Sequence, residues 1–220
     1  MMVLGIETSD DFVGVGLADE TGILTSRASA PELRNKNLLH EFTKDTLESA
    51  GKNFTDIEGV SVSMGPGSFT GLRVGLAAAK GICWSRNIPF AGIPSTEVIA
   101  ESVRNFAGRF LAVKDARRNE FYYGAFECDG SRWARILPDK TGAVDDILML
   151  VAEGFKVAGR RSQMEKSGIL PADMIEYSPH NLGGIVALLG RKRLVDGENL
   201  DVASAAPEYL RYPSAGRSGR

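Results

Sequence analysis

The stretch with the clearest capacity for chemistry is a glycine-rich loop between a short β-branched run and a helix-like segment. The run covers residues 60–64, and the helical pattern begins at about Gly71. Backbone N–H groups at such a helix N-terminus can hold an anion, so the loop is a candidate cofactor-binding site of the phosphate type. Its candidate residues are Gly65, Pro66, Gly67, Ser68, Thr70, Gly71 and Arg73.

This loop matches neither of the two commonest phosphate-binding motifs. It lacks the Gly-Lys-Ser/Thr ending of a Walker A loop, and its glycines are not spaced as in the dinucleotide fingerprint. Arg73 is a cation in the first helical turn, where it opposes the helix dipole, so we expect it to face a carboxylate or a phosphate. A tight structural turn that lets the helix sit close to a sheet is the alternative interpretation.

Outside the loop, the sequence offers carboxylates but no recognisable catalytic set. Glu7, Asp10, Asp11 and Asp115 stand near predicted strand ends, where they could bind Mg²⁺ or act as a general base. Solvated turn-forming carboxylates fit the same pattern. The two histidines lie in different halves without HxxxH or HExxH spacing, and no serine sits in a nucleophile motif. The sequence therefore predicts no catalytic residues and no metal site.

The helix after the loop is apolar around nearly its whole circumference. A helix of this kind is buried on two sides, so it needs either a partner helix or a second element of the same chain. Small residues along one stripe would allow close approach, and a predicted helix over residues 36–50 could lie beside it. The predicted partner interface consists of Leu38, Leu39, Phe42, Leu72, Gly75, Leu76 and Ala79. A charge at Leu39 or Leu76 should then block assembly without unfolding the chain.

The overall composition is that of an ordinary globular protein. The 220 residues are 43% hydrophobic and 25% charged, which is enough apolar material for a real core. A net charge of −2 excludes a basic field for tight, nonspecific nucleic-acid binding. No stretch approaches the roughly 20 apolar residues of a membrane span, and no signal peptide is recognisable. We expect a cytoplasmic protein.

The predicted elements occur in an order that repeats. Strands and helices follow β-β-β-α-β in residues 1–104 and again in residues 105–213, with residues 214–220 as a disordered tail. Two such copies predict an α/β fold of the actin-like ATPase (ASKHA, RNase H-like) group, with a cleft between the halves. The second half looks truncated and has no glycine loop. Because a full nucleotide clamp needs both halves, we expect no ATP binding by the chain alone.

The chain resembles the TsaB (YeaZ) family along nearly its whole length. The resemblance is carried by LGIETS at 4–9, MGPGSFTGLRVGLAAAKGI at 64–82, GIPS at 92–95, DARRNEFYYGAF at 115–126 and PEYLR at 207–211. It implies an actin-like fold without the catalytic equipment. It departs from the family at Asn35 and Glu41, where the family often has His and Pro.

The resemblance also implies a set of partners. A protein of this family would act as a non-catalytic scaffold that dimerises with the TsaD transferase through its helices, and the TsaE ATPase would join them. The complex would make threonylcarbamoyladenosine at position 37 of tRNAs that read ANN codons. ATP or ADP would then lie at the interface of the complex, and the free chain could homodimerise through the same helical face.

Two other functions compete with the scaffold. One is a small-molecule kinase or ATPase that uses the 65–71 loop and Glu7. The other is a glycoprotease-like metalloprotease, against which the lack of paired metal-ligand spacing weighs most heavily.

Overall fold

Two five-stranded sheets, each with its own helices, make up the protein. The computed structural model describes residues 1–30, 38–166 and 174–210. The first half contains β1 (Val3–Glu7), β2 (Gly14–Asp19), β3 (Gly22–Ala28), α1 (Leu38–Ser49), β4 (Gly59–Gly65), α2 (Phe69–Arg86), β5 (Phe90–Pro94) and α3 (Ser95–Ser102). The second half contains β6 (Ala107–Arg117), β7 (Glu120–Asp129), β8 (Trp133–Ala143), α4 (Val144–Ala152), β9 (Lys156–Gly159), α5 (Arg161–Lys166), β10 (Met174–Glu176) and α6 (Leu182–Val195).

The sheet topology repeats between the halves. The first sheet has the strand order β3-β2-β1-β4-β5, and the second has the matching order β8-β7-β6-β9-β10. In each sheet the first three strands form an antiparallel meander, and the later strands join in parallel. The predicted duplicated α/β architecture of the actin-like ATPase group is therefore confirmed.

The prediction of a truncated second half needs correction in one respect. Its topology is complete, because each strand and helix of the first half has a counterpart in the same order. Among the described residues, α5 covers Arg161–Lys166 as the counterpart of α2, and sequence analysis did not predict it. The residues between α5 and β10 lie outside the described ranges. The predicted tail at 214–220 lies outside the described residues.

Alternating side chains give the first sheet two different faces. On β1 and β2 the large apolar residues Leu4, Ile6, Val15 and Leu17 all point into one hydrophobic cluster, together with side chains of α1 and α2. The residues between them are glycines, which leave the opposite face almost flat. Within the described residues, no helix is long and apolar enough to cross a membrane.

The flat face receives α6, which contacts all five strands of the first sheet. A Cβ atom at Gly5 or Gly16 would overlap the backbone of α6, and one at Gly183 would lie within 2.5–2.7 Å of the backbone of Val15. The Ser61 hydroxyl donates a hydrogen bond of 2.8 Å to the carbonyl of Val186. The last helix of the second half is thus held against the first sheet at backbone distance.

Between the two sheets, α3 lies beside α6 and contacts strands of both. Its apolar residues Val98 and Ile99 share a cluster with Phe110 and Phe126 of the second sheet and with Ile185 of α6. Pro94 occupies the N-cap position of α3, and Ser95 is the first helical residue. The two halves therefore share one apolar layer.

The turn between β6 and β7 has an unusual backbone. Arg117, Arg118 and Asn119 all have positive φ angles, of 68°, 58° and 60°. Left-handed conformations of residues other than glycine are strained by on the order of 1 kcal/mol each, and asparagine tolerates them best. Arg117 pairs with Glu120 across the turn, so Arg118 and Asn119 form a two-residue hairpin loop.

Close packing of α6 leads to a stability prediction with a built-in control. Gly183→Ala should destabilise the protein by about 3 kcal/mol, because the new methyl group meets backbone atoms that cannot give way. Gly81→Ala on α2 meets nothing within 4 Å and should instead stabilise by roughly 0.5–1 kcal/mol, since alanine favours the helix. Urea unfolding of both variants measures the difference, and equal effects would contradict the backbone contact.

Candidate functional site

The glycine loop is packed against the turn that follows β1. The N–H of Ser68 donates to the Ser9 carbonyl at 2.8 Å, and a side chain at Gly67 would overlap that same carbonyl group. The N–H of Gly71 donates to Ser68 Oγ at 3.2 Å. The N–H of Leu72 donates to the Ser68 carbonyl at 2.8 Å. These three backbone donors of the predicted phosphate site therefore have partners within the chain.

The other predicted loop residues line the start of α2. Gly65 and Pro66 are buried at the end of β4, and Thr70 is exposed in the first turn of the helix. Arg73, which we expected to face a carboxylate or a phosphate, is exposed and contacts two aromatic side chains. Its guanidinium lies 3.8 Å from the centre of the Phe69 ring, and its Nε donates to the Tyr209 hydroxyl at 2.9 Å. Stacking on aromatic rings explains how a cation is tolerated at this helix end.

The C-terminal segment closes over the same loop. The N–H of Glu208 donates to the Met64 carbonyl at 2.8 Å. The Tyr209 ring then packs on Phe69 with 5.0 Å between ring centres. Arg73 thus joins the segment around Tyr209 to the glycine loop.

At the carboxyl end of β1, the Glu7 carboxylate is buried and fully engaged. It accepts hydrogen bonds from the Ser9 N–H at 2.7 Å, from the Ser9 hydroxyl and from the Ser63 hydroxyl. Lys114, on β6 of the second sheet, donates to the same Ser9 hydroxyl. Both Glu7 and Lys114 are almost completely buried. A carboxylate that could have held Mg²⁺ is thereby linked to an ammonium group from the other half.

The next two carboxylates are engaged in the same way by Arg160, which follows β9. Its Nη1 lies 3.4 Å from Asp10 Oδ1 and hydrogen-bonds Asp11. Gln163 Nε2 donates to Asp10 Oδ1 at 2.6 Å. Sequence analysis missed Lys114 and Arg160 because residues more than 100 positions apart carry no local signal of their pairing.

The electrostatics of this cluster favour the charged pair. Burial raises the pKa of Asp11, but the hydrogen bond and charge of Arg160 outweigh it and bring that pKa below its ordinary value. Burial lowers the pKa of Arg160, and the carboxylates of Asp10 and Asp11 outweigh it and raise that pKa. Burial, and then the charge of Asp10, raise the pKa of the Tyr177 phenol. Arg160 and Asp11 therefore stay ionised around neutral pH.

A second polar cluster ties the halves together at α3. Thr96 Oγ1 donates to Asp139 of β8 at 2.7 Å, and Asp139 also pairs with Arg135. Glu97 lies 3.2 Å from Arg135 and 2.7 Å from Arg193 of α6. A side chain at Gly124 would collide with the Asp139 carboxylate, so glycine is needed on β7 for this cluster to form.

The predicted partner interface requires correction. Leu72, Gly75, Leu76 and Ala79 face the chain's own first sheet and are buried. A side chain at Gly75 would meet Thr8 and Val62, so its small size serves the contact of α2 with β1 and β4. Charges at Leu76 or Leu39 would enter this core, so we now expect such variants to unfold rather than stay folded.

The exposed side of α2 is a different one. It carries Arg73, Ala77, Gly81 and Trp84, and the Trp84 side chain is 76% exposed. On α1, Leu39 is buried whereas Leu38 and Phe42 are half-buried, and Glu41 is exposed. Asn35 lies outside the described residues. When a helix is apolar around its whole circumference, its sequence does not indicate which side packs against the sheet of its own chain.

The remaining predicted carboxylate, Asp115, supports the β6–β7 turn by accepting a hydrogen bond of 2.7 Å from the Arg117 N–H. His40 is exposed on α1, and His180 lies in a 3₁₀ turn before α6. In the described ranges, no three His, Cys, Asp or Glu side chains come together in a group that could hold a metal ion.

Comparison with known proteins identifies the family. The model of the family described as TsaD, tRNA N6-adenosine threonylcarbamoyltransferase, matches residues 30–208. The protein is 26% identical to the tRNA threonylcarbamoyladenosine biosynthesis protein TsaB of Bacillus subtilis, over 98% of this chain and 96% of that protein. It is 38% identical to the tRNA N6-adenosine threonylcarbamoyltransferase of Pelobacter propionicus, but over only 44% of this chain and 33% of the transferase.

Solved structures agree on the fold. YeaZ from Pseudomonas aeruginosa superposes with a TM-score of 0.75 at 22% identity, covering 95% of this chain and 99% of YeaZ. The matches to TsaB and to YeaZ extend over nearly the full length of this chain and of each relative. The transferase match covers only one part of a longer protein. The chain therefore belongs to the tRNA N6-adenosine threonylcarbamoyltransferase family, in its TsaB (YeaZ) group.

Proposed function

We propose that this protein is a non-catalytic subunit that binds and activates a TsaD-like transferase in the biosynthesis of tRNA threonylcarbamoyladenosine. The tRNA role comes from the TsaB relatives, whose names place them in that biosynthesis. The product would be threonylcarbamoyladenosine at position 37 of tRNAs that read ANN codons. A TsaE-like ATPase would join the complex, as the family resemblance implies.

One observation carries the non-catalytic part of the proposal. Carboxylates at the carboxyl ends of strands are where an enzyme of this architecture would hold a metal or a base. Here Glu7 shares the Ser9 hydroxyl with Lys114, and Asp10 and Asp11 pair with Arg160. Both cations come from the opposite half of the chain. This pairing of the carboxylates with the chain's own cations supports a non-catalytic role.

This arrangement argues for a chain that binds no nucleotide by itself. Any ATP or ADP would lie where the two proteins meet. The competing interpretation, a small-molecule kinase or ATPase, requires ATP turnover by the isolated chain. A labelled-ATP assay measures this directly, and turnover would overturn the proposal.

The partner surface is the exposed side of α2, extended by the half-buried Leu38 and Phe42 of α1. Ala77 and Gly81 let another helix approach closely, and Trp84 has the size and exposure of an interface anchor. A stable interface buries about 800 Å² on each partner, which is close to one side of two neighbouring helices. In the absence of the transferase, a second copy of this chain would occupy the same surface.

The surface leads to a prediction about assembly. Ala77→Glu should leave folding intact, because Ala77 is exposed, but should weaken the complex at least about a hundredfold by placing a charge at a desolvated contact. tRNA modification in a reconstituted assay should fall with complex formation. Size-exclusion chromatography and thermal melting of the same preparation separate assembly from folding.

Ala152→Glu is the matched control, since Ala152 is an exposed alanine on α4, a helix of the other sheet. This variant should assemble and support modification normally. If Ala77→Glu assembles as tightly as this control, the α2 surface is not the interface.

The cleft leads to a second prediction. Lys114→Met should destabilise the protein by about 2–3 kcal/mol, because the buried Glu7 carboxylate loses the cation that shares the Ser9 hydroxyl. Adding Glu7→Gln should recover at least about 1 kcal/mol of that loss in a double-mutant cycle. Lys44→Met, at a lysine that is 67% exposed, should change stability by less than about 0.5 kcal/mol.

The same variant tests whether Lys114 has a chemical role. If Lys114 only links the two halves, the Lys114→Met variant should modify tRNA at the wild-type rate per assembled complex. The assay is run at a temperature at which the variant is folded. A large loss of rate in a folded and assembled variant would mean that Lys114 takes part in the reaction.

A further inference from the structure

The guanidinium of Arg73 is only partly engaged within the chain. Its Nε donates to the Tyr209 hydroxyl at 2.9 Å, and the side chain is exposed. Among residues 1–30, 38–166 and 174–210, neither of its terminal nitrogens has a hydrogen-bond acceptor, and no carboxylate forms an ion pair with it. Nη1 and Nη2 are therefore available to a ligand from outside this part of the chain.

Two aromatic rings hold this guanidinium in place. It lies 3.8 Å from the centre of the Phe69 ring and 5.9 Å from that of the Tyr209 ring. The two rings also pack on each other, with 5.0 Å between their centres. An arginine that is already held in one position loses less side-chain freedom when it binds a ligand. Arg73 is thus prepared for binding in the free protein.

The charges around Arg73 favour an anion. A cation near the N-terminus of a helix opposes the helix dipole, and α2 has no acidic residue in its first turn to compensate. Stacking on the rings stabilises the guanidinium but adds no negative charge. Residues 211–220, which follow Tyr209 and Leu210, contain no Asp or Glu. A carboxylate from another molecule would complete this arrangement.

Arg73 is also continuous with the proposed partner surface. It lies on the same exposed side of α2 as Ala77, Gly81 and Trp84. Arg73 and Trp84 are three helical turns apart, or about 16 Å along the helix axis. A partner helix lying along this side would therefore contact both. Arginine, like tryptophan, is enriched among the residues that contribute most to binding at protein interfaces.

We propose that Arg73 binds the carboxylate of an Asp or Glu side chain on the transferase partner. Because Tyr209 engages Nε, the carboxylate would be bound end-on, with one oxygen accepting from Nη1 and the other from Nη2. This inference rests on the proposed function and adds the chemistry of the partner. The transferase helix that lies on α2 would carry an acidic residue about three turns from its contact with Trp84.

The first test compares the affinities of Arg73 variants for the transferase, with both proteins free of nucleotide. Arg73→Gln should weaken the complex at least about tenfold and make its affinity less dependent on salt. Arg73→Lys should recover only part of the loss, because lysine cannot bind a carboxylate through a bidentate fork. Arg132→Gln, at an exposed arginine in the β7–β8 turn, is the control and should bind as the wild type does.

The same titrations define the results that would overturn the proposal. Equal affinities of folded Arg73→Gln and Arg132→Gln would overturn it, and thermal melting shows whether both are folded. A loss that appears only after ATP is added would also overturn it, because the guanidinium would then bind a phosphate of the nucleotide. Failure of the unmodified chain to bind the transferase would refute the proposed function, and this inference with it.

A charge reversal identifies the partner residue. Arg73→Glu should abolish binding at concentrations at which the wild type is assembled, because two carboxylates would then face each other. Each Asp and Glu on the transferase helices that contact α2 is replaced by Arg in turn. One of these replacements should restore binding to Arg73→Glu while weakening binding to the wild type. If none restores it, Arg73 does not bind a carboxylate of the partner.

Discussion

Contact between α6 and the flat face of the first sheet is the constraint on which the remaining structure depends. Gly5, Gly16 and Gly183 remove the side chains that would separate the helix from the strands, and Ser61 adds a hydrogen bond to the helix backbone. Because α6 is the last helix of the second half, this contact draws the two sheets together. It also brings the carboxyl ends of β1, β6 and β9 within reach of one another.

The buried ionic groups follow from that approach. Charged groups removed from water are costly unless each is paired and hydrogen-bonded. Lys114 and Arg160 enter from the second sheet and meet Ser9, Asp10 and Asp11 just beyond β1. The cluster at α3, which joins Glu97 to Arg135 and Arg193, repeats the arrangement at a second point. Separating the two halves would break ion pairs at both places.

The outer face of the first sheet is covered by α1 and α2, and the exposed side of α2 carries Ala77, Gly81 and Trp84. The glycine loop, which resembles an anion site in sequence, instead docks on Ser9 and on the C-terminal segment through Tyr209.

The sequence by itself determined the duplicated fold and the family. Element order depends on local hydrophobic periods and turn residues, which short windows of sequence contain, and the motifs at 4–9 and 64–82 are long enough to be specific. What only the tertiary structure decided is the direction in which side chains point. From sequence, we assigned Leu72, Gly75 and Leu76 to a partner surface, but in the structure they are buried in the core. The sequence of a helix that is apolar all round does not indicate which side faces inward. The cations that contact Ser9 and Asp10 lie more than 100 residues away along the chain. No local pattern encodes such a pairing, because it arises only when α6 folds back onto the first sheet.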